Sequence, residues 1–486
     1  MRARLNAAAL AHLPAGVKRP AYDRSRVQTG IVHIGPGAFH RAHQAAYIDQ
    51  ILASDPRWGI AAMALRSRDI TGALNAQDEL YTLQTLGEGE ETRVIGSILS
   101  AQSGARGAEP LLDTLTLPTV KLVTLTITEK GYCLASDGAL DAVHPDIAHD
   151  LAHPKSPKSA IGLILEALTR RRAQGLPPFH VLSCDNLSDN GVKLAGAVTA
   201  LAAERDRGLA SWIAGEVRFP RTMVDAITPA TDGALKAHIA QALGYTDAVP
   251  VQREVFTSWV IEKSDIAPFP DLEAAGALMT DDVAGHAFAK LRLLNGCHSP
   301  LAWLGLACGY ESVNDAMADP WLARFITRLA EDEIAPSIAA PDGMDLSAYA
   351  ATIRARFANP AIRHLLSQIA WDSSQKLPVR LLSTVENNLS AGRDITLLTA
   401  SVASWMRFVR RMAASGQPLT DPMAAELAAI GLRCNDDPDH DVTLFLSLDA
   451  IFRADLATNA RFRAGLIEGY DLVRRLETGA RPSCPA

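Results

Sequence analysis

A chain of 486 residues is too long for one ordinary hydrophobic core, so at least two domains are expected. With 48% hydrophobic and 21% charged residues it has the composition of a soluble globular protein, and a formal charge of -7 argues against a phosphate-backbone-binding surface. Its six scattered cysteines form no CxxC pair, so neither a zinc ribbon nor a disulfide framework is indicated. No stretch approaches the roughly 18 uninterrupted apolar residues of a membrane span, and "MRARLNAAALAHLPAG" lacks the apolar centre of a secretory signal. A cytoplasmic protein with no nucleic-acid or membrane partner is expected.

The first half reads as alternating strands and helices. "GIVHIG" (30–35) is a short apolar run ending in glycine, and the helical pattern "AFHRAHQAAYIDQILAS" follows it. Further strands are expected at "WGIAAMAL" (58–65), "TVKLVTLTIT" (119–128) and "FHVLSCDN" (179–186), the last after the helix "AIGLILEALTRRRAQG". Strands separated by helices imply a mostly parallel, doubly wound sheet. From about residue 283 Ala/Leu-rich helical periodicity takes over, at 284–309, 320–335, 346–370, 393–414, 422–431 and 460–477. The fold class is therefore α/β: an N-terminal Rossmann-like doubly wound sheet domain over 1–282, then a mostly α-helical C-terminal domain over 283–486.

"HIGPGAFHRAH" places G-x-G between the first strand and first helix. Gly35 and Gly37 would make the tight turn, and Ala38 and Phe39 would open a helix whose free N–H groups face a pyrophosphate. The third position of the usual fingerprint is His40. His40 and His43 could be read as a metal pair, but no nearby carboxylate or cysteine completes a site, and no metal is expected. After the second strand, "LRSRD" offers Asp69 for the ribose hydroxyls and Arg66 or Arg68 for a 2′-phosphate. The cofactor is expected to be NAD, with NADP left open.

"KLRLLNGCHS" (290–299) carries a lysine, an asparagine and a histidine in a leucine-rich segment. At 100° per residue, with Lys290 at zero, His298 falls at about 80° and Asn295 at about 140°, while Arg292 points roughly opposite. A surface helix with a polar face is the plain alternative, although the surrounding leucines leave little room for water. None of the eight tyrosines is followed by lysine four residues later, so the Tyr-Lys pair of short-chain dehydrogenases is absent, and the scattered cysteines supply no zinc-dehydrogenase site. A lysine whose pKa is lowered by desolvation can take an alcohol proton, and asparagine amides can donate to the developing alkoxide. Asn186, in "SCDNLSDNG" past the end of a strand, is either such a donor or a turn residue.

Together these segments resemble the long-chain, metal-independent polyol and uronate dehydrogenases, a family that includes mannitol 2-dehydrogenases and fructuronate reductases. "GIVHIGPGAFHRAHQAAYID", "LTITEKGYC", "SCDNLSDNG", "FPRTMVDAITPA", "KLRLLNGCHS", "RFANPAIRH" and "DSSQKLP" occur in the family's order over nearly the whole chain. The resemblance implies Lys290 as general base or acid, Asn186 with Asn295 as oxyanion hole, and His298, Asp225 and Lys376 lining the substrate pocket. The chain departs from the family at Ala226, where arginine is common, at Ala287, where many relatives carry an acid, and at Ser373, where "DGS" is usual.

Mannitol dehydrogenases of the family tend to have arginine where this chain has Gln368, and "QIAWDSSQKLPVRLL" looks more like the fructuronate reductases. A hexuronate carboxylate needs a cation, which Lys376 with Arg380 or Arg41 could supply. The leading expectation is NAD-dependent interconversion of D-mannonate and D-fructuronate by a monomer or small homo-oligomer; the alternative is a mannitol 2-dehydrogenase or related polyol dehydrogenase. Oxidative decarboxylation of the 6-phosphogluconate type would need a basic cluster for the phosphate that the sequence does not display. A non-catalytic NAD-responsive protein would not need the lysine and asparagines.

Overall fold

In the computed structural model, which describes residues 2–484, the glycine-ended run forms strand β1 (Thr29–Ile34). It is the middle member of a five-stranded sheet with β2 (Gly59–Ala64), β3 (Ile98–Ser103), β4 (Leu122–Leu125) and β5 (His180–Ser183), in the order β3-β2-β1-β4-β5. Every neighbouring pair is parallel. The chain moves outward from β1 in one direction through β2 and β3, then crosses back to β4 and β5. That reversal creates a switch point at the carboxyl end of β1, where open α/β sheets bind ligands.

Burial on both faces accounts for the sequence pattern. β2 is buried at all six positions, so it reads as an unbroken apolar run rather than an alternating one. Val32 and Ile34 join a core under the helix α1 (Ala160–Ala173), whereas Ile31 joins a separate core with Ile48, Ile51 and Trp58. Successive residues of one strand thus feed two cores, as a doubly wound sheet requires. β3 escapes sequence reading because this edge strand, "ILSAQS", buries only two of its six residues. Two smaller sheets also went unread. One runs Val17–Lys18, Thr92–Ile95, Tyr81–Leu86, Val251–Glu254; the other contains β6 (Thr222–Asp225), β7 (Ser258–Glu262) and β8 (Leu278–Thr280).

The chain divides into two compact units, Met1–Ala284 and Gly285–Ala486. In the second unit the helix α2 (Gly296–Ala307) is buried at all but one position, and α3 (Thr396–Ser415) packs along α4 (Ala460–Glu477). That contact is close because α4 presents glycines one turn apart: a Cβ on Gly469 would lie 2.7 Å from Ala400 Cα, and one on Gly465 would lie 2.7 Å from Thr399 Oγ1. The expected helix over 346–370 stops at Phe357, since Asn359-Pro360 cannot continue it, and only Leu366–Ile369 resumes. The expected helix after β1 is broken at His43 (φ -117°, ψ -90°) into Ala38–Ala42 and Gln44–Ile51. There the His43 ring stacks near Phe39, and its Nε2 meets the Ser258 carbonyl at 3.0 Å. Among the described residues, no helix is long and apolar enough to cross a membrane.

Candidate active site

The turn after β1 is built on one obligatory glycine. Gly35 has φ +96°, and a Cβ there would sit 2.1 Å from the Thr126 carbonyl oxygen. Thr126 Oγ1 donates to the Gly35 carbonyl at 2.7 Å, and His33 ties the same spot together through Thr124 Oγ1 at 2.7 Å and Thr126 Oγ1 at 2.9 Å. Gly37 faces open space, with only the Gly35 carbonyl, at 3.9 Å, near a would-be Cβ. The turn opens on a cleft of about 570 Å³ whose walls include Gly35, Gly37, Arg66, Thr128, Lys130 and Ser159. That size lies within the roughly 300–1,000 Å³ of small-molecule sites. Ser159 Oγ accepts from Gly162 N at 2.8 Å and caps α1, so a 14-residue helix also begins at this cleft. Unobstructed backbone at Gly37, basic side chains and a helix start fit a dinucleotide.

His40, at the fingerprint's third position, lies fully buried and stacked on His33 with ring centroids 3.3 Å apart. Burial holds it well below its ordinary pKa, so it is a neutral packing ring. Ala38, Phe39 and Asp69 are not in the cleft wall, and Asp69 is exposed in the first turn of the helix Asp69–Asn75. Arg66 does line the cleft but forms an ion pair with Asp146. Arg41 is buried in this unit's own fold, donating to the Pro36 and Val249 carbonyls beside the Tyr81 ring.

Asn186 is exposed on the bend after β5. Neighbouring side chains shape that bend: Asp185 accepts from Ile127 N and Thr128 N, both at 2.9 Å, and from Tyr132 Oη at 2.7 Å. This brace holds Thr128, a β-branched residue, at φ +65°. Asn190 Nδ2 donates to the Asp185 carbonyl at 3.1 Å and the Thr222 carbonyl at 3.0 Å, joining the bend to β6, at whose end Asp225 is buried. Asp185 and Asn190 went unread because both lie in a polar turn string that discloses no partners.

In the helical unit, Lys290–Asn295 is a π-helical turn between α-helical Val283–Ala289 and α2. Such turns recur at functional sites. The wider turn advances fewer degrees per residue than an α-helix, so Asn295 and His298 swing closer to the Lys290 direction than an even 100° spacing implies. Lys290 is buried at 8% exposure and His298 at 9%, while Asn295 is half-buried. Arg292 is also buried, bonded to Thr384 with its guanidinium over the Phe288 ring, so the opposite side of the turn is no more watery. Two further π-helical turns, Leu329–Ile334 and Pro378–Leu382, pack against this one. Gly296 is where they meet: a Cβ there would lie 3.1 Å from the Arg380 carbonyl and 3.5 Å from Ile334 Cδ1. Gly296→Ala is expected to cost about 1–3 kcal/mol, the usual range for overpacking, and to lower kcat by shifting Lys290. Thermal unfolding and initial rates check this; if neither moves, the junction tolerates a methyl group.

His298 stacks on Phe357 with centroids 5.0 Å apart and meets His364 edge-on at 4.9 Å. Burial pushes its pKa well below the ordinary value, and the charges of His364, Arg380, Arg356 and Lys376 act the same way. It is therefore neutral, and its Nε2 has no hydrogen-bond partner among the described residues. Arg380, lowered to about 10 by burial, stays cationic and donates to Ser299 Oγ at 3.0 Å. Lys376 Nζ donates to the Ile369 carbonyl at 3.3 Å and to that of Trp371. Gln368 is exposed on Leu366–Ile369. Ser373, in place of the family's glycine, is absorbed by bonds to Asp421 Oδ2 at 2.8 Å and from Trp405 Nε1 at 2.9 Å. His364 beside His298 and the charge effect of Arg356 on that ring went unread; "RFANPAIRH" contains both residues, but periodicity alone could not relate them to His298.

Family models for the mannitol dehydrogenase Rossmann domain and the mannitol dehydrogenase C-terminal domain match residues 29–274 and 282–473. The chain is 42% identical over 474 residues to the D-mannonate oxidoreductase of Escherichia coli (strain K12), covering 96% of this chain and 97% of that one. It is similar to the mannitol 2-dehydrogenase of Pseudomonas fluorescens, solved as a ternary complex with NAD and D-mannitol (TM-score 0.82, 37% identity, 98% of each chain). It is also similar to a substrate-free D-sorbitol dehydrogenase (TM-score 0.91, 31% identity, 98% of this chain and 100% of that one). The glycine turn at a switch point, the buried lysine on a π-helical turn and these matches over both units agree: the chain is an oxidoreductase that belongs to the mannitol dehydrogenase family.

Proposed function

We propose that this enzyme interconverts D-mannonate and D-fructuronate, with residues 1–282 binding NAD and residues 283–486 supplying the acid–base group. The observation that carries the substrate assignment is the charge around His298. The charged groups acting most strongly on it are basic (His364, Arg380, Arg356 and Lys376), and such surroundings favour an anionic substrate. The likeness to a D-mannonate oxidoreductase supports the same reading.

NAD, when bound, supplies the hydride acceptor in oxidation and, as NADH, the donor in reduction. In oxidation, neutral Lys290 takes the proton of the secondary alcohol while Asn186 and Asn295 donate amide N–H groups to the developing alkoxide. In reduction, the Lys290 ammonium returns that proton to the carbonyl oxygen. Neutral His298 uses its unpartnered Nε2 on a neighbouring substrate hydroxyl, and Asp225 accepts from another. Arg380 and Lys376 hold the carboxylate, with Gln368 at the margin of that subsite. Chelator treatment should not lower turnover, since no step here uses a Lewis acid; activity lost to chelator and restored by zinc would refute that.

A substrate panel tests the assignment: fructuronate, tagaturonate and fructose with NADH or NADPH, and mannonate and mannitol with NAD or NADP. The expected result is a kcat/KM for fructuronate above that for fructose by about 10–100-fold, the worth of a hydrogen bond to a charged group. A preference for fructose and mannitol would establish the second reading, a mannitol 2-dehydrogenase. Under that reading the Lys376 ammonium stays with the two backbone carbonyls that engage it and holds no substrate carboxylate.

A further inference from the structure

We propose that Cys133, His144 and Asp146 form a zinc-binding site in the wall of the dinucleotide cleft, so that zinc and the cofactor exclude one another. Each of the three offers one ligand atom, and all these atoms lie within 4.8 Å of one another. Thiolate, imidazole and carboxylate are the donor types zinc prefers, and three protein ligands leave its fourth position to water. None of the three is among the residues given a part in hydride transfer. All three residues line the cleft that Gly35 and Gly37 open.

Local charge favours a dication here: the carboxylates of Asp141, Asp146 and Asp150 all act on Cys133, and Arg66 opposes them. A bound dication would take the thiolate as a ligand, its two charges outweighing the effect of the carboxylates on that anion. One existing interaction must be given up: Asp146 pairs with Arg66, whose side chain is 72% exposed. A largely exposed pair of this kind contributes little, so giving it up costs little. His144 Nδ1 accepts from Asp146 N at 3.2 Å, and this long bond survives if Nε2 binds the metal. On binding, the Cys133 S–H bond breaks, its proton goes to solvent, a Zn–S bond forms, and no redox change occurs. The competition with cofactor rests on the cleft being the dinucleotide site; metal binding itself does not.

The test uses the full chain without nucleotide. Co²⁺ should give a near-ultraviolet sulfur charge-transfer band and tetrahedral visible bands. Zn²⁺ should displace it at one per chain, with about one proton released as judged by calorimetry in buffers of different ionisation enthalpy. Cys133→Ser should abolish the sulfur band. It and His144→Gln should each weaken zinc by more than the roughly 10–100-fold carried by a mere supporting residue. Arg66→Gln should tighten zinc, because it frees Asp146. In a fluorescence titration, zinc should raise the apparent Kd for NADH in the wild type but not in Cys133→Ser. Zinc binding that survives both ligand substitutions, or a cobalt spectrum without sulfur, would overturn the site. Zinc bound at the trio with NADH affinity unchanged would overturn the exclusion. A chain that binds zinc as described but never NADH would instead count against the dinucleotide reading.

Discussion

Replacing Lys290 by methionine is expected to lower kcat by about 10²–10⁴-fold, the usual contribution of a general acid–base group. Methionine nearly preserves the length and apolar stem of a side chain that is 8% exposed, so the fold and NADH affinity should be nearly unchanged. The pH profile separates the lysine from its rival. Only the neutral amine accepts a proton, so alcohol oxidation should rise with pH through one ionisation, and carbonyl reduction should fall through the same one. His298 is held well below its ordinary pKa by burial and by its cationic neighbours. As the base it would already be deprotonated at neutral pH, and the oxidation profile would be flat there. If Lys290→Met keeps most of its turnover and the wild-type profile is flat, the lysine is structural and the histidine is the base.

Arg380→Met is expected to reduce kcat/KM for fructuronate by about 100-fold, because truncating one partner of a buried charge pair costs about 2–5 kcal/mol. Activity on fructose should change only a few-fold. The substitution also removes the bond to Ser299 Oγ, so the unfolding temperature must be measured alongside. A fall shared equally by both substrates would mean that Arg380 shapes the pocket and does not hold a carboxylate. The ratio between substrates, rather than either rate, is therefore the decisive quantity.

Several features were readable before any coordinates. "GIVHIG", "WGIAAMAL" and the apolar strands that follow declare themselves because strands buried on both faces must be apolar throughout. The α4 helix was placed to the residue at 460–477 because its periodicity runs unbroken from the Asn459 cap. β3 and the two small sheets were not readable, since half-polar or very short strands, here of two to six residues, look like loops until a partner pairs with them. The trio in the cleft wall was invisible for a related reason. Cys133 sits 11 residues before His144 in no short Cys/His motif, and the fold, which turns through a left-handed residue at Cys133, brings the three side chains together.

By itself the sequence determined the two-part architecture, the family, and which residue types could carry the chemistry. Each of these is written in local composition, in periodicity, or in the ordered set of motifs. Only the tertiary structure decided that Lys290–Asn295 is a π-helical turn braced at Gly296, that Arg41 is spent inside its own unit, and that Arg356 and His364 join His298. The physical reason is that a helix repeats every few residues whatever lies beyond it, whereas a π turn, a buried cation and an unpartnered imidazole depend on groups distant in the chain. Those groups meet only when packing has excluded the water that would otherwise serve each of them.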